Sequence, residues 1–404
     1  MVGVAMGWEL FKLTNDPFAL GLVGLVQVLP VILLSLPAGT VADRFNRKRV
    51  VAVAQSLAAL SSLGLVILSA TQPALEPGRY LTFSEGTIPL YYLCLLGIGV
   101  SRAFNLPASN TLLPMTVPPE HFTNAATYSS SAWQLAAILG PALGGFAIAL
   151  FKTTWQIYLF DVFAALGFAL LVNLMQVKHK PRPREPVTLA TLSAGARFVF
   201  QKKVILAAIT LDMFAVLLGG ATALLPVFAE EILKVGPVGL GWLRAMPSIG
   251  ALLMAIFLTR LPPFERAGLT LLWAVVGFGA ATLVFGLSVS FPLSLLMLFV
   301  LGALDQISVI IRSTLVLTQT PDAMRGRVSA VNSMFIGISN ELGAFESGVA
   351  ARFLGTIGAV VFGGIGTIVV VGLISWFWPE VRQLGRLDPD PELKESEQGA
   401  PTSA

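Results

Sequence analysis

GTVADRFNRKR, residues Gly39 to Arg49, stands between two apolar runs, 19–42 before it and 50–71 after it. Each run is long enough to cross the hydrocarbon of a bilayer, which takes roughly 20 apolar residues. Between the runs lie Arg44, Arg47, Lys48 and Arg49, with one acid, Asp43, ahead of them. A short basic turn between two apolar helices is expected on the cytoplasmic face of a membrane.

The rest of the chain repeats this arrangement. Further apolar runs fall near 88–112, 123–150, 155–176, 204–229, 238–260, 268–290, 292–317, 328–354 and 357–378. Apolar residues make up 55% of the chain and charged residues 12%, and mean hydropathy is +0.80. A soluble domain carries about 25% charge, so the surplus apolar surface must face lipid. The runs are rich in Leu, Ala and Gly without period-two alternation, which points to helices rather than barrel strands. The fold class is therefore all-α integral membrane.

Residues 1–13 are apolar too, but such a helix is only about 20 Å long. They are expected to be the outer part of a first span, completed by roughly 15–25 residues upstream. Equal activity of this chain and of an upstream-extended one would refute that expectation. The stretch carries Glu9 and Lys12 without a basic leader, so it is not a cleavable signal.

Lys and Arg set the orientation. The side of the 43–49 turn also receives the 177–203 segment, Arg260, Arg266, Arg325, Arg327 and the tail. The other side receives Lys12, Arg79, Lys152, Lys234 and Arg352. Both termini are thus expected in the cytoplasm. The net charge of +4 serves this topology and forms no nucleic-acid face. The lone Cys94 excludes an intrachain disulfide, and the two histidines, His121 and His179, lie in loops, so no metal set is expected.

The proline- and cation-rich linker 177–203 divides the chain into halves 1–176 and 204–378, with a tail at 379–404 that reads as disordered. The halves are related. Sliding 96–145 onto 299–348 without a gap gives eight identities, among them Gly99/Gly302, Pro118/Pro321 and Gly140/Gly343. Polar stripes coincide as well. Arg102, Asn105 and Ser109 share one helical face, and at the same offset stand Asp305, Ser308 and Arg312. Two pseudo-symmetric six-helix bundles, with twelve spans of which the first is cut short, account for this pattern.

Gly39–Arg49 resembles the signature cytoplasmic loop of the major facilitator superfamily, with Gly39, Asp43, Arg44, Arg47 and Lys48 on its pattern. Asn46 replaces the usual glycine, as the residue next most tolerant of a left-handed turn. The stretches 211–233 and 320–348 resemble the branch that includes enterobactin and drug exporters. Gly140, Pro141, Gly144 and Gly145 resemble the helix-5 motif of exporters. The resemblance implies two bundles rocking about a central cavity lined mainly by helices 1, 4, 7 and 10. It also implies that Asp43 meets the start of helix 11, near Val328, when the cytoplasmic ends close.

Arg102, Asp212 and Asp305 fall near mid-span, where a charge facing lipid costs roughly 2.5–3.5 kcal/mol. They are expected to face protein or water, as substrate or proton-pathway residues together with Asn105, Ser109, Ser308 and Arg312. Asp212 has no basic residue nearby on its own helix, which marks it as the proton carrier. Arg102 and Arg312 are expected to hold Asp305 ionised. Glu341, Glu346, Asp161 and Arg244 are expected in packing or inter-half contacts.

The sequence has no phosphate-binding loop and no catalytic constellation, so an enzyme is not expected. The function that the resemblance implies, with titratable carboxylates at Asp212 and Asp305 beside it, is proton-coupled export of a siderophore or amphipathic drug-like molecule across a bacterial inner membrane. Uptake, facilitated diffusion, or a non-transporting receptor or scaffold on the same fold are the alternatives. The expected partners are the small-molecule substrate and the lipid bilayer, with no nucleic acid; the protein is expected to be a monomer without a cofactor, driven by a proton gradient.

Overall fold

A computed structural model describes residues 1–72, 80–82, 85–118, 121–175, 196–219, 221–262 and 264–387. The described residues are helical, with no strand among them. Helices α1 (Val2–Thr14), α2 (Pro17–Arg44), α3 (Arg47–Thr71), α4 (Ile88–Thr116), α5 (Phe122–Phe151) and α6 (Trp155–Leu174) form the first half. The second comprises α7 (Lys203–Leu218), α8 (Gly236–Leu258), α9 (Ala267–Leu287) and α10 (Phe291–Thr318), followed by a helical stretch over Asp322–Phe377. Gly355 breaks that stretch at φ 73° and ψ 164°, backbone that glycine adopts without steric cost. The break separates α11 (322–354) from α12 (356–377). A short α13 (Pro379–Gln383) follows.

Ten stretches among the described residues are long and apolar enough to cross a membrane. One of them, Met334–Phe377, contains the Gly355 break. Linker residues 177–195 and the tail from 388 lie outside the described residues; the linker's described end is helical at 196–201.

Local chemistry explains the helix ends. The Asp16 carboxylate accepts from the Phe18 backbone N–H at 2.9 Å and caps α2. Asn46 does the same for α3, accepting from Lys48 N at 3.0 Å. Its φ is −63°, so the left-handed turn expected there does not form. A capping amide does what backbone freedom was expected to do. The span expected over 204–229 is also less regular: beyond α7 come a 3₁₀ turn at Ala221–Leu224 and a π turn at Phe228–Ile232. Pro226 between them has no N–H to continue an α-helical ladder.

The halves meet along two helix pairs, α2 against α11 and α5 against α8. Small residues let the backbones approach. A β-carbon added at Gly21 would lie 3.0 Å from the Gly348 Cα, and one at Gly145 would lie 2.8 Å from the Gly241 Cα. These contacts sit near the start of α2 and α8 and the end of α5 and α11, which is the end opposite the 39–49 loop. We call it the outer end.

There the buried core is continuous: Met6, Leu10, Tyr91 and Tyr158 of the first half cluster with Leu224, Phe228, Leu240 and Leu298 of the second. Toward the loop end it separates. Ala42, Val50, Val51, Ala108, Leu112 and Val172 form one cluster wholly in the first half. Leu211, Leu271, Ile311, Leu315 and Val328 belong to another, wholly in the second. Among the described residues, the core is thus continuous across the halves at the outer end and divided at the other.

Candidate functional site

A cavity of about 390 Å³ lies between the halves near the seal. Gly3 and Gly7 of α1, Gln27 of α2, Pro141 of α5, Thr222 and Leu225 beyond α7, Arg244 of α8 and Asn340 and Glu341 of α11 all contribute to its wall. Its polar groups are held by helices of both halves. Arg102 reaches from α4 to Gln27 Oε1 at 3.1 Å and to Glu341 Oε1 at 3.8 Å. That ion pair joins α4 to α11 at the cavity edge. With Arg102 56% exposed, solvent screens it, and its role is alignment more than stability.

Arg102 therefore pairs with Glu341, and the expected approach to Asp305 does not occur. The Arg102–Glu341 pair is an inter-half contact, as expected of Glu341. Asn105 accepts a 3.0 Å bond from Ser109 on the same helix. On α10, Asp305, Ser308 and Arg312 turn away from the cavity and into the second half. Arg312 Nη1 lies 2.6 Å from Asp212 Oδ2, with both side chains nearly sealed from solvent. Arg312 Nε donates to Ser308 Oγ at 3.2 Å.

Asp305 borders the same small void as Asp212, walled by Ala274, Val275 and Phe278 of α9. Asp212 has no basic residue nearby on its own helix. Instead it is the direct partner of Arg312, because α10 carries that guanidinium against α7.

The signature loop stitches its own half together. Lys48 Nζ donates to the carbonyls of Asn173 and Met175, each at 2.7 Å, placing a cation at the C-terminus of α6 where the helix dipole favours it. Arg47 donates to Ala42 O at 3.2 Å and reaches Met115 Sδ of α4 at 3.0 Å. Arg44 ends α2, and Gly39 has open space where a β-carbon would sit. The side chain of Asp43 lies outside the described residues. Gly140, Pro141, Gly144 and Gly145 form the face of α5 that meets α1 and α8 at the outer seal.

A second polar centre lies at the outer end of the first half. Glu9 of α1, 9% exposed, accepts from Tyr91 Oη at 2.8 Å and from Thr154 Oγ1 and Tyr158 Oη at 2.7 Å each. Nearby, Lys12 bonds Glu230 across the halves.

A family model described as transmembrane secretion effector matches residues 1–398. The chain belongs to the major facilitator superfamily. As a member of that superfamily it is a multi-pass membrane transporter rather than an enzyme, and its partners are a small-molecule substrate and the bilayer. It is similar to the enterobactin exporter EntS of Escherichia coli O1:K1, at 23% identity over 398 residues, covering 98% of this chain and 92% of that protein. Among solved structures, a bacterial homologue of the lysosomal transporter Spinster, inward-facing and occupied, superposes with a TM-score of 0.68 at 14% identity over 94% of each chain. A D-xylose–proton symporter gives 0.68 at 15% identity, covering 95% of this chain and 97% of that one. These likenesses establish the superfamily fold.

Within that fold, sequence reasoning missed the Glu9 cage and Gln27. A carboxylate inside the short apolar helix α1 was the available signal for the first. Glu9→Ala would take the acceptor from three buried hydroxyls, of which Thr154 keeps Ser69 Oγ at 2.8 Å, and each unmet group costs about 1–3 kcal/mol. The variant is expected to melt well below Glu9→Gln in detergent, because an amide still offers an acceptor. A Glu9→Ala protein as heat-stable as Ser62→Ala, which loses only one bond to Asp161, would refute the cage.

Proposed function

We propose that this chain is a proton-coupled exporter of a siderophore or amphipathic drug-like molecule in a bacterial inner membrane, with both termini cytoplasmic. Two six-helix bundles, α1–α6 and α7–α12, rock about the central cavity, which is the substrate site. The observation that carries this reading is a core continuous across the halves at the outer end and divided at the loop end. That asymmetry is what one state of an alternating-access cycle requires, with the cavity beneath the sealed end. Export rather than uptake is favoured by the similarity to an enterobactin exporter.

Proton coupling is assigned to the sealed cluster of α7 and α10. Two carboxyls, Asp212 and Asp305, face one guanidinium, Arg312, so one proton brings the cluster to neutrality. Isolated charge in a dry interior is expensive. Loading and releasing that proton thus changes the energy of packing α7 against α10. Transport in proteoliposomes under an imposed proton gradient, screened over siderophores, dyes and antibiotics, tests the whole proposal; no movement of any of them would overturn it.

Asp43 is given the conformational role. A carboxylate near the start of α11 is favoured by the helix dipole, by up to about 1 kcal/mol at an exposed site. That contact forms when the loop ends approach and is absent when they part. Asp43→Asn is expected to slow turnover while leaving affinity in a trapped state within about twofold, since a term of about 1 kcal/mol acts on the equilibrium alone. Unchanged distance distributions across the loop face in the variant would show the role to be wrong.

A further inference from the structure

We propose that Arg244 is the anion anchor of the central cavity, so that the transported solute carries a negative charge held at the α1–α8 seam. The inference rests on the transport reading above and names the substrate class. Arg244 belongs to the cavity wall, yet no carboxylate pairs with it among the described residues. Its one described bond runs from Nη1 to the Gly3 carbonyl at 3.1 Å. Nε is cut off from solvent without any hydrogen-bond partner. A guanidinium has five N–H donors, and most of this one's remain unused.

The acid in the same wall does not answer it, because Glu341 is engaged by Arg102. Gln27, Thr222 and Asn340 supply polar but uncharged groups. Among the described residues, the cavity thus carries one positive charge without a carboxylate partner. A cation at membrane depth is costly without a counter-charge, and the cavity that Arg244 lines has room for one. A β-carbon at Gly7 would lie 3.2 Å from Nη2 and 3.3 Å from the Pro226 ring, so the glycine leaves room for the guanidinium to lie against α1.

The planar fork suits a carboxylate, sulfonate or phosphate in two-point contact. The cavity volume lies within the range of sites for drug-sized ligands, roughly 300–1,000 Å³. The competing account is that Arg244 only ties α1 to α8 through the Gly3 carbonyl, a role indifferent to the charge of any ligand.

Fluorescein and rhodamine 6G share a xanthene body and carry opposite charge at neutral pH. Their binding is measured by fluorescence anisotropy on the full chain in phosphatidylcholine nanodiscs. Fluorescein is expected to bind at least about tenfold tighter, the scale of one charge-assisted hydrogen bond. Arg244→Gln should erase the preference, and Arg244→Lys should keep part of it. Equal or tighter binding of rhodamine 6G by the native chain, binding of neither dye, or an unchanged preference in Arg244→Gln overturns the anchor.

Should Arg244→Gln fail to fold, the native preference and its survival in Arg244→Lys decide. An anionic lipid headgroup offers the same chemistry. Loss of fluorescein binding when phosphatidylglycerol is added would assign the site to lipid and overturn the solute assignment. Proteoliposome flux separates the two levels: fluorescein bound with the expected preference, with neither it nor any other screened solute moved, removes the transport reading and keeps the anchor. Preferred movement of rhodamine 6G does the reverse.

Discussion

Asp305→Asn is expected to abolish uphill transport driven by a proton gradient while leaving substrate exchange down its own gradient intact. Asp212→Asn is expected to do the same. In either variant one guanidinium faces one carboxylate, so the cluster is neutral without a proton and has nothing to exchange with the gradient. The two carboxyls act here as one titrating unit. Asp212 has no basic residue nearby on its own helix, but α10 brings Arg312 within 2.6 Å of it, so the two carboxyls share one counter-charge.

Arg312→Met should behave differently, because it leaves two buried carboxyls without a counter-charge. Breaking a buried pair from one side costs about 3–5 kcal/mol, so little folded protein is expected from that variant. Gradient-driven accumulation and counterflow exchange, measured side by side in proteoliposomes, make the check. Continued accumulation against the substrate gradient by either Asn variant would remove the proton from this cluster.

The helices were legible in the sequence because lipid demands long apolar runs, and the break between 354 and 357 was legible because the apolar pattern restarts there. Gly355 supplies its backbone reason. Partner choice was not legible. The repeat places Arg102 and Asp305 at matching positions, but matching positions in two related halves point into their own surroundings and need not touch. Arg102 turns to Gln27 and Glu341 at the cavity, whereas Asp305 lies inside its half beside Asp212.

Hydropathy assigns depth in the membrane, but not the face of a helix surrounded by apolar neighbours on all sides. The same limit hid Glu9, whose three hydroxyl donors come from α4, α6 and the turn before α6. Asn46 shows a different limit. A capping side chain and a left-handed glycine are alternative ways to end one helix and start the next, and the motif alone does not choose between them.

Gly145→Leu and Gly348→Leu are expected to move the protein out of the state seen here. A β-carbon at Gly348 would lie 2.7 Å from the Gly21 Cα, and one at Gly145 would lie 2.8 Å from the Gly241 N. Both clashes are with backbone, so no rotamer relieves them and the outer ends must part. Overpacking costs typically about 1–3 kcal/mol per site. At about 1.4 kcal/mol per tenfold, each change alone shifts the equilibrium roughly five- to 150-fold.

The two sites lie on different helix pairs, α5–α8 and α2–α11, and should add in the double variant. Moving a population from 99:1 to 1:99 takes about 5.5 kcal/mol, close to the upper limit of the pair. Spin labels at Thr153 and Val289, on the outer turns of opposite halves, should report a longer distance in the double variant. Transport should fall at least about a hundredfold, because the cycle cannot return through the sealed state. An unchanged label distance in a folded double variant would mean that these glycines do not form the outer seal.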